Sequence, residues 1–171
     1  MTIYIAHRQN ELKNLKKLER SNFNGVEFDL RSNSEKIIMS HDPFKNGNDF
    51  LKKYKLLKNF FLIIDIKSSG ISSKIYKLLK KNKYKFLLLN LIQPEFVQMV
   101  ENGYGKNLLL RFSSYEKIDI SKKKLKKINW VWLDFFERHF ITSKEYKYLK
   151  KFKKKICLTS PDLLGYKSQL L

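Results

Sequence analysis

Val26-Glu27-Phe28-Asp29-Leu30 and Phe60-Phe61-Leu62-Ile63-Ile64-Asp65-Ile66 are short, β-rich apolar runs that carry acids near their carboxyl ends. Such runs alternate with lysine-rich segments of helical period, the pattern of βα units around a parallel sheet. Working outward from this pair, five more strands are predicted, at residues 3–6, 86–91, 108–112, 130–135 and 156–158. Between strands, Leu12, Leu15 and Leu18 share one helix face, Ile75, Leu78 and Leu79 another, and Phe96, Val97 and Val100 a third. Pro94 and Pro161, each followed by an acid, mark helix starts, and Ser113 or Ser114 and Thr142 or Ser143 can cap later helices. Residues 37–40 fall outside the alternation and are expected to be extended, bringing His41 back over the sheet.

Seven or eight βα units imply a closed ring, so the expected fold is α/β, a small (β/α)8-type TIM barrel formed by residues 1–171 as one domain. An ordinary barrel of that kind takes about 250 residues. This one is therefore expected to be trimmed, with very short loops and an incomplete eighth unit after Gly165.

Composition narrows the function classes. The 171 residues carry 36 Lys+Arg against 16 Asp+Glu, a formal net charge of +20, yet 43% are hydrophobic, which excludes a disordered polycation. The positive residues are mostly lysines spread along the chain, which is unlike an arginine-rich surface for reading nucleic acid. A single cysteine, Cys157, excludes a disulfide framework or a paired-cysteine metal site within one chain, and its apolar neighbours suggest a buried filler. The apolar runs are too short for a signal peptide or a spanning helix, so a cytoplasmic location is expected.

The chemistry collects where a parallel barrel keeps its active groups, at the carboxyl ends of strands. Strand one ends in His7-Arg8, strand two carries Glu27 and Asp29, strand three ends in Asp65-Ile66-Lys67, and the extra segment ends in His41-Asp42. Alternate residues of a strand face the same way, so Glu27 projects with Asp29 and Asp65 with Lys67. If the two strands are neighbours, three carboxylates converge, and such an all-oxygen set favours a hard divalent ion, Mg²⁺ or Ca²⁺. His7 and His41 would stand beside it as groups able to take and give a proton near neutral pH. Arg8 and Lys67 supply positive charge for an anionic substrate.

Ile5-Ala6-His7-Arg8, Gly25-Val26-Glu27-Phe28-Asp29, Ser40-His41-Asp42-Pro43 and Ile64-Asp65-Ile66-Lys67, in this order, resemble the motif series of the glycerophosphodiester phosphodiesterase family, whose members are metal-dependent TIM barrels. The specific part of the resemblance covers about the first 70 residues; beyond it only the strand–helix rhythm matches. The resemblance implies that His7 and His41 are the acid–base pair, that Glu27, Asp29 and Asp65 bind the ion, and that Arg8 and Lys67 hold the phosphate of a small phosphodiester. It favours His41 as base and His7 as acid, an assignment the residues alone leave open. Gln9 replaces the family's usual glycine after His-Arg, and the Pro-Glu-Asn-Thr segment is missing, with Glu11, Asn10 or Asn14 as candidate stand-ins. Asp65 stands where glutamate is common, which is similar to the phospholipase D toxins of the sphingomyelinase type that cyclise their product. Leu158-Thr159 stands where many members place Trp-Thr.

Further residues have two readings each. Trp132, Asp134 and Phe136 share a strand face and either line the mouth or pack the core; Arg111 either meets a phosphate or balances a buried acid. His139 reads as a surface residue, and Lys144-Glu145-Tyr146-Lys147-Tyr148 as a solvated helix face rather than a single-strand binder. A non-catalytic anion-binding protein on the same barrel is the alternative from a different class, although such a protein gains nothing from three acids in its mouth. The +20 charge then reads as a background field that concentrates anionic substrates or touches anionic lipid surfaces, with nucleic acid disfavoured.

Overall fold

The structure, a computed structural model, describes residues 2–113, 115–116, 125–134, 142–160 and 163. It divides into two compact units, Met1–Phe96 and Val97–Leu171.

The first unit is built on the two acid-bearing runs. Strand β2 (Gly25–Asn33) pairs in parallel with β5 (Phe61–Ile66), and β5 pairs in parallel with β6 (Phe86–Leu89). The short β1 (Ile5–Ala6) lies parallel to the start of β2, placing His7 just past Val26 in register. Both faces of the central strands are buried, as expected of a parallel sheet. One face carries Val26, Phe28, Leu30, Leu62, Ile64 and Ile66 and the other Glu27, Asp29, Ile63 and Asp65, all of them buried. Gly25 is required by closeness rather than by its dihedrals. A Cβ there would stand 2.3 Å from the Phe61 carbonyl oxygen and 2.6 Å from Ile5 Cδ1. No side chain fits between β1, β2 and β5 at that level.

The extended segment is a strand, β3 (Lys36–Met39), and it pairs antiparallel with the far end of β2 through a two-residue turn at Ser34-Glu35. Ser34 takes a left-handed conformation, φ 53°, as tight hairpins demand. This pairing extends β2 beyond the predicted Leu30 to Asn33 and returns the chain to His41 beside the carboxyl end of the sheet. A two-residue β4 (Asn48–Asp49) follows, then α2 (Phe50–Lys53), N-capped by the Asp49 side chain, and a 3-10 turn (Tyr54–Leu57). Phe28, Phe50, Tyr54 and Tyr84 form a chain of tilted ring contacts 5.8–6.0 Å apart beneath this hairpin.

Helix α3 (Ser72–Lys81) buries Ile75, Tyr76 and Leu79 and exposes its lysines, close to the predicted face. Helix α4 (Gln93–Glu101) begins at the Pro94 signal and buries Phe96, Met99 and Val100. Helix α1 is only Leu15–Glu19, shorter than the leucine spacing suggests, because Leu12 adopts φ 60° and lies outside it. Strand β6 stops at Leu89 rather than Leu91, since Asn90 turns left-handed at φ 60°.

The second unit is a parallel sheet of β7 (Leu109–Phe112), β8 (Trp130–Leu133) and β9 (Lys155–Leu158). Phe112, Val131, Leu133 and Leu149 form its buried cluster, with Ile156 packed against them. Helix α5 (Ser143–Lys151) starts with a full capping box: Thr142 accepts from the Glu145 amide while the Glu145 carboxylate accepts from the Thr142 amide. Cys157 is half-buried rather than fully enclosed.

The chain is thus a mixed α/β protein, but the described strands do not close the expected (β/α)8 ring. They form one six-stranded and one three-stranded sheet, and the antiparallel β3–β4 ribbon takes chain length that a further βα unit would need. Phe135, Phe136, His139, Lys122–Lys124, Pro161, Asp162 and the segment after Gly165 lie outside the described residues. Among the described residues no helix is long and apolar enough to cross a membrane.

Candidate active site

The ladder between β2 and β5 builds the centre of the site. In register, Asp29 lies directly opposite Asp65, and Glu27 is two residues back on the same face. One carboxylate oxygen from each of Glu27, Asp29 and Asp65 lies within 4.8 Å of the others, and all three residues are buried. Three acids so close repel one another, and neighbouring donors offset the repulsion. Lys67 Nζ sits 2.7 Å from Asp65 Oδ2 and 3.3 Å from Asp29 Oδ1. Asn90 Nδ2 donates to Asp65 Oδ2 at 2.9 Å. Asn10 makes a reciprocal pair with Asp29: its Nδ2 donates to Oδ2 at 2.8 Å, and its Oδ1 accepts from the Asp29 amide at 2.9 Å.

Glu27 is held differently. The Arg8 amide donates to Glu27 Oε2 at 2.8 Å, and His7 Nε2 lies 3.5 Å from the same oxygen. Arg8 is left-handed, φ 53°, and this turn aims its N–H at the carboxylate. The amide does not cancel the cost of burial, and Asp29 and Asp65 add to that cost, so the Glu27 pKa rises to about 7. Asp65 Oδ1 is buried with no hydrogen-bond partner. An orphaned carboxylate oxygen, a carboxyl that resists ionising and an all-oxygen donor set within one ion's reach together fit a hard divalent cation.

The histidines flank this centre. Burial, and then the Arg8 guanidinium, hold His7 below the ordinary histidine value, with the Asp29 charge opposing. His41 Nδ1 pairs with Asp42 Oδ1 at 2.8 Å, and Asp42 also accepts from Lys45 Nζ at 2.7 Å. These hydrogen bonds from His41 and Lys45 depress the Asp42 pKa to about 2, so the carboxylate stays ionised and keeps the imidazole proton on Nδ1. The lone pair is thereby left on Nε2, which lies 3.1 Å from Arg8 Nη2.

All seven residues singled out in the sequence therefore come to one end of one sheet. Among the three stand-ins for the missing segment, only Asn10 reaches the acids. Glu11 is exposed and pairs with Lys13, and Asn14 is the exposed residue ahead of α1. Asn90 and Arg31 were not anticipated from the sequence, although Asn90 is the one polar residue of the run 86–91 and Arg31 continues the Glu27, Asp29 alternation. Lys67, expected to hold a phosphate, lies against the carboxylates of Asp65 and Asp29.

The second unit carries its own polar cluster at strand ends. Asp134 accepts from Trp132 Nε1 at 2.8 Å and from Thr159 Oγ1 at 3.2 Å, and it pairs with Arg111 Nε at 2.7 Å. Arg111 also pairs with Glu116 at 2.9 Å, which fits the charge-balancing reading of this arginine.

The fold has solved counterparts. The chain is similar to a glycerophosphodiester phosphodiesterase from Parabacteroides distasonis, with a TM-score of 0.62 and 16% identity over 95% of this chain and 87% of that one. It is also similar to an Oleispira antarctica phosphodiesterase in complex with the product sn-glycerol-3-phosphate, with a TM-score of 0.64 and 12% identity over 93% and 84%. At these identities the likeness establishes a shared fold. No protein-family profile and no curated protein sequence matches the chain.

Proposed function

We propose that this protein is a metal-dependent phosphodiesterase that cleaves a small glycerophosphodiester-like substrate, on the mixed α/β fold it shares with its structural neighbours. The observation that carries this reading is the meeting of three buried carboxylates with two histidines at the carboxyl end of one sheet. Glu27, Asp29 and Asp65 would hold the ion, Mg²⁺ or Ca²⁺, which would supply Lewis-acid polarisation of a phosphoryl oxygen. The product bound by the Oleispira phosphodiesterase is sn-glycerol-3-phosphate, which supports a glycerol-bearing substrate.

The chain's own groups then have distinct tasks. His41 takes the proton of the attacking hydroxyl at Nε2, the nitrogen that the Asp42 pairing leaves unprotonated. His7 gives a proton to the leaving oxygen; its lowered pKa makes its imidazolium a stronger acid than a free one. Lys67 has three N–H donors, of which one is given to Asp65 while the ammonium also pairs with Asp29 at 3.3 Å, which leaves donor capacity for a phosphate oxygen. Arg8 adds charge at the rim beside His41. A binder of anions without catalysis is disfavoured, because the centre of the site is acidic.

The test is turnover of glycerophosphocholine and of an aryl phosphodiester by purified protein, with Mg²⁺, with Ca²⁺ and with chelator. Activity that needs the ion and is lost in His7→Ala and His41→Ala supports the proposal; activity indifferent to all three sinks it. The resemblance at Asp65 to the product-cyclising phospholipase D toxins supports a second reading, a cyclising lyase. Phosphorus NMR separates the two, since a cyclic phosphate as sole end product identifies the lyase.

A further inference from the structure

Arg31 lies on the same face of β2 as Glu27 and Asp29, one residue past the end of the ladder with β5 and opposite Ile38 in the ladder with β3. Strand β5 makes its last pair at Ile66 opposite Leu30, and β3 makes its last at Met39 opposite the same residue. The chain leaving β3 carries His41 and the chain leaving β5 carries Lys67, each just beyond the last paired residue of its strand. The Arg31 guanidinium spans them. Its Nε and Nη2 donate to the His41 carbonyl at 3.0 and 2.8 Å, and its Nη1 reaches the Lys67 carbonyl at 3.4 Å.

Building on the phosphodiesterase reading above, we propose that Arg31 is a positioning residue, fixing His41 and Lys67 relative to each other by gripping their carbonyls. The guanidinium is planar and its donors keep fixed angles, so one rigid group sets the separation of two otherwise independent segments. With the His41 backbone fixed by Arg31 and its ring fixed by Asp42, Nε2 has a defined place beside the Arg8 guanidinium. The Lys67 amide, bonded to the Leu30 carbonyl at 2.9 Å, completes the hold on the other segment. In its hydrogen bonds Arg31 touches only backbone, so it acts through these two residues. A lysine carries its three donors on one nitrogen, so it lacks the separated nitrogens with which the guanidinium spans both carbonyls.

The test pairs turnover with hydrogen exchange in Arg31→Ala and Arg31→Lys, each made in the wild-type and the His41→Ala backgrounds. In the wild-type background kcat/KM falls about 100-fold, the scale of a 1 Å misplacement, and lysine does not restore it. In the His41→Ala background, read on the residual turnover of the aryl phosphodiester, the same change costs less than about tenfold, because of the two residues it positions only Lys67 keeps its side chain. Amides of residues 41–47 and 67–69 exchange faster, while those of residues 26–30 and 62–66 keep their protection. An equal loss in both backgrounds, full activity of Arg31→Lys, or exchange that rises equally across β2 and β5 overturns the proposal. If the wild type turns over no diester, the phosphodiesterase reading fails by itself. The exchange pattern then judges the Arg31 clamp: unchanged protection at residues 41–47 overturns it, and a loss confined to those two segments upholds it.

Discussion

Glu27→Gln should make the ion-free protein more stable at pH 8 while abolishing its chemistry. In the fold the carboxyl titrates at about 7 instead of 4.5, first because it is buried and then because Asp29 and Asp65 lie beside it, with the Arg8 amide and Lys67 opposing. A carboxyl whose folded pKa is raised binds protons more tightly in the native state. Stability is therefore intact below pH 4.5 and declines as pH rises to 7. About 2.5 pH units at 1.36 kcal/mol each give a penalty of about 3 kcal/mol above pH 7. Glutamine has the shape of the protonated acid and can still accept from the Arg8 amide, so it escapes the penalty. Urea unfolding in chelator, run on both proteins from pH 4 to pH 9, should show a difference near zero at pH 4. It should widen by about 1.4 kcal/mol per unit between pH 4.5 and 7 and then level off. With saturating divalent ion the order should reverse, since only wild type gains the binding free energy. A difference that ignores pH, or a mutant less stable than wild type at pH 8 without ion, would refute the reasoning.

Three further outcomes are expected. The apparent affinity for Mg²⁺ or Ca²⁺, read by calorimetry, should rise up to about tenfold per pH unit below pH 7 and level off above it, as the ion must displace the Glu27 proton. Asn10→Ala, which strips two hydrogen bonds from Asp29, should weaken divalent-ion binding about 10- to 100-fold while leaving the far-ultraviolet dichroism unchanged. Gly25→Ala should lower the unfolding free energy, read by urea titration, by about 3 kcal/mol, because its methyl group must push β2 away from Phe61 or move Ile5.

Much of the first unit was legible because period-two alternation is a strong signal and acids rarely interrupt it without cause. Glu27 could be placed with Asp29 and Asp65 with Lys67 from the sequence, and the pairing of β2 with β5 brings the three acids to one face. The β2–β3 hairpin was half-legible: Ile37–Met39 reads as extended, but a Ser-Glu turn lacks the Asn-Gly or Gly signature that announces a tight reversal. Leucine spacing overstated α1, since periodicity cannot register that Leu12 takes a left-handed dihedral. Ring closure was not legible at all, being decided by strand pairing between distant segments. At the site, residue types gave the acids and histidines but not their partners. That Asn10 rather than Glu11 turns to Asp29 depends on the path of a loop, which no local pattern encodes.

The face-to-face placement of Asp29 and Asp65 also governs which length changes this gene can tolerate. Because side chains alternate, sliding β5 by one residue along β2 sends Asp65 to the opposite face and leaves Lys67 pointing away with it. A single-residue insertion inside either strand should therefore be lethal to function even where the fold survives. The same insertion in the connecting stretch around Asn46, between the two strands in sequence, changes neither parity nor register and should pass unnoticed.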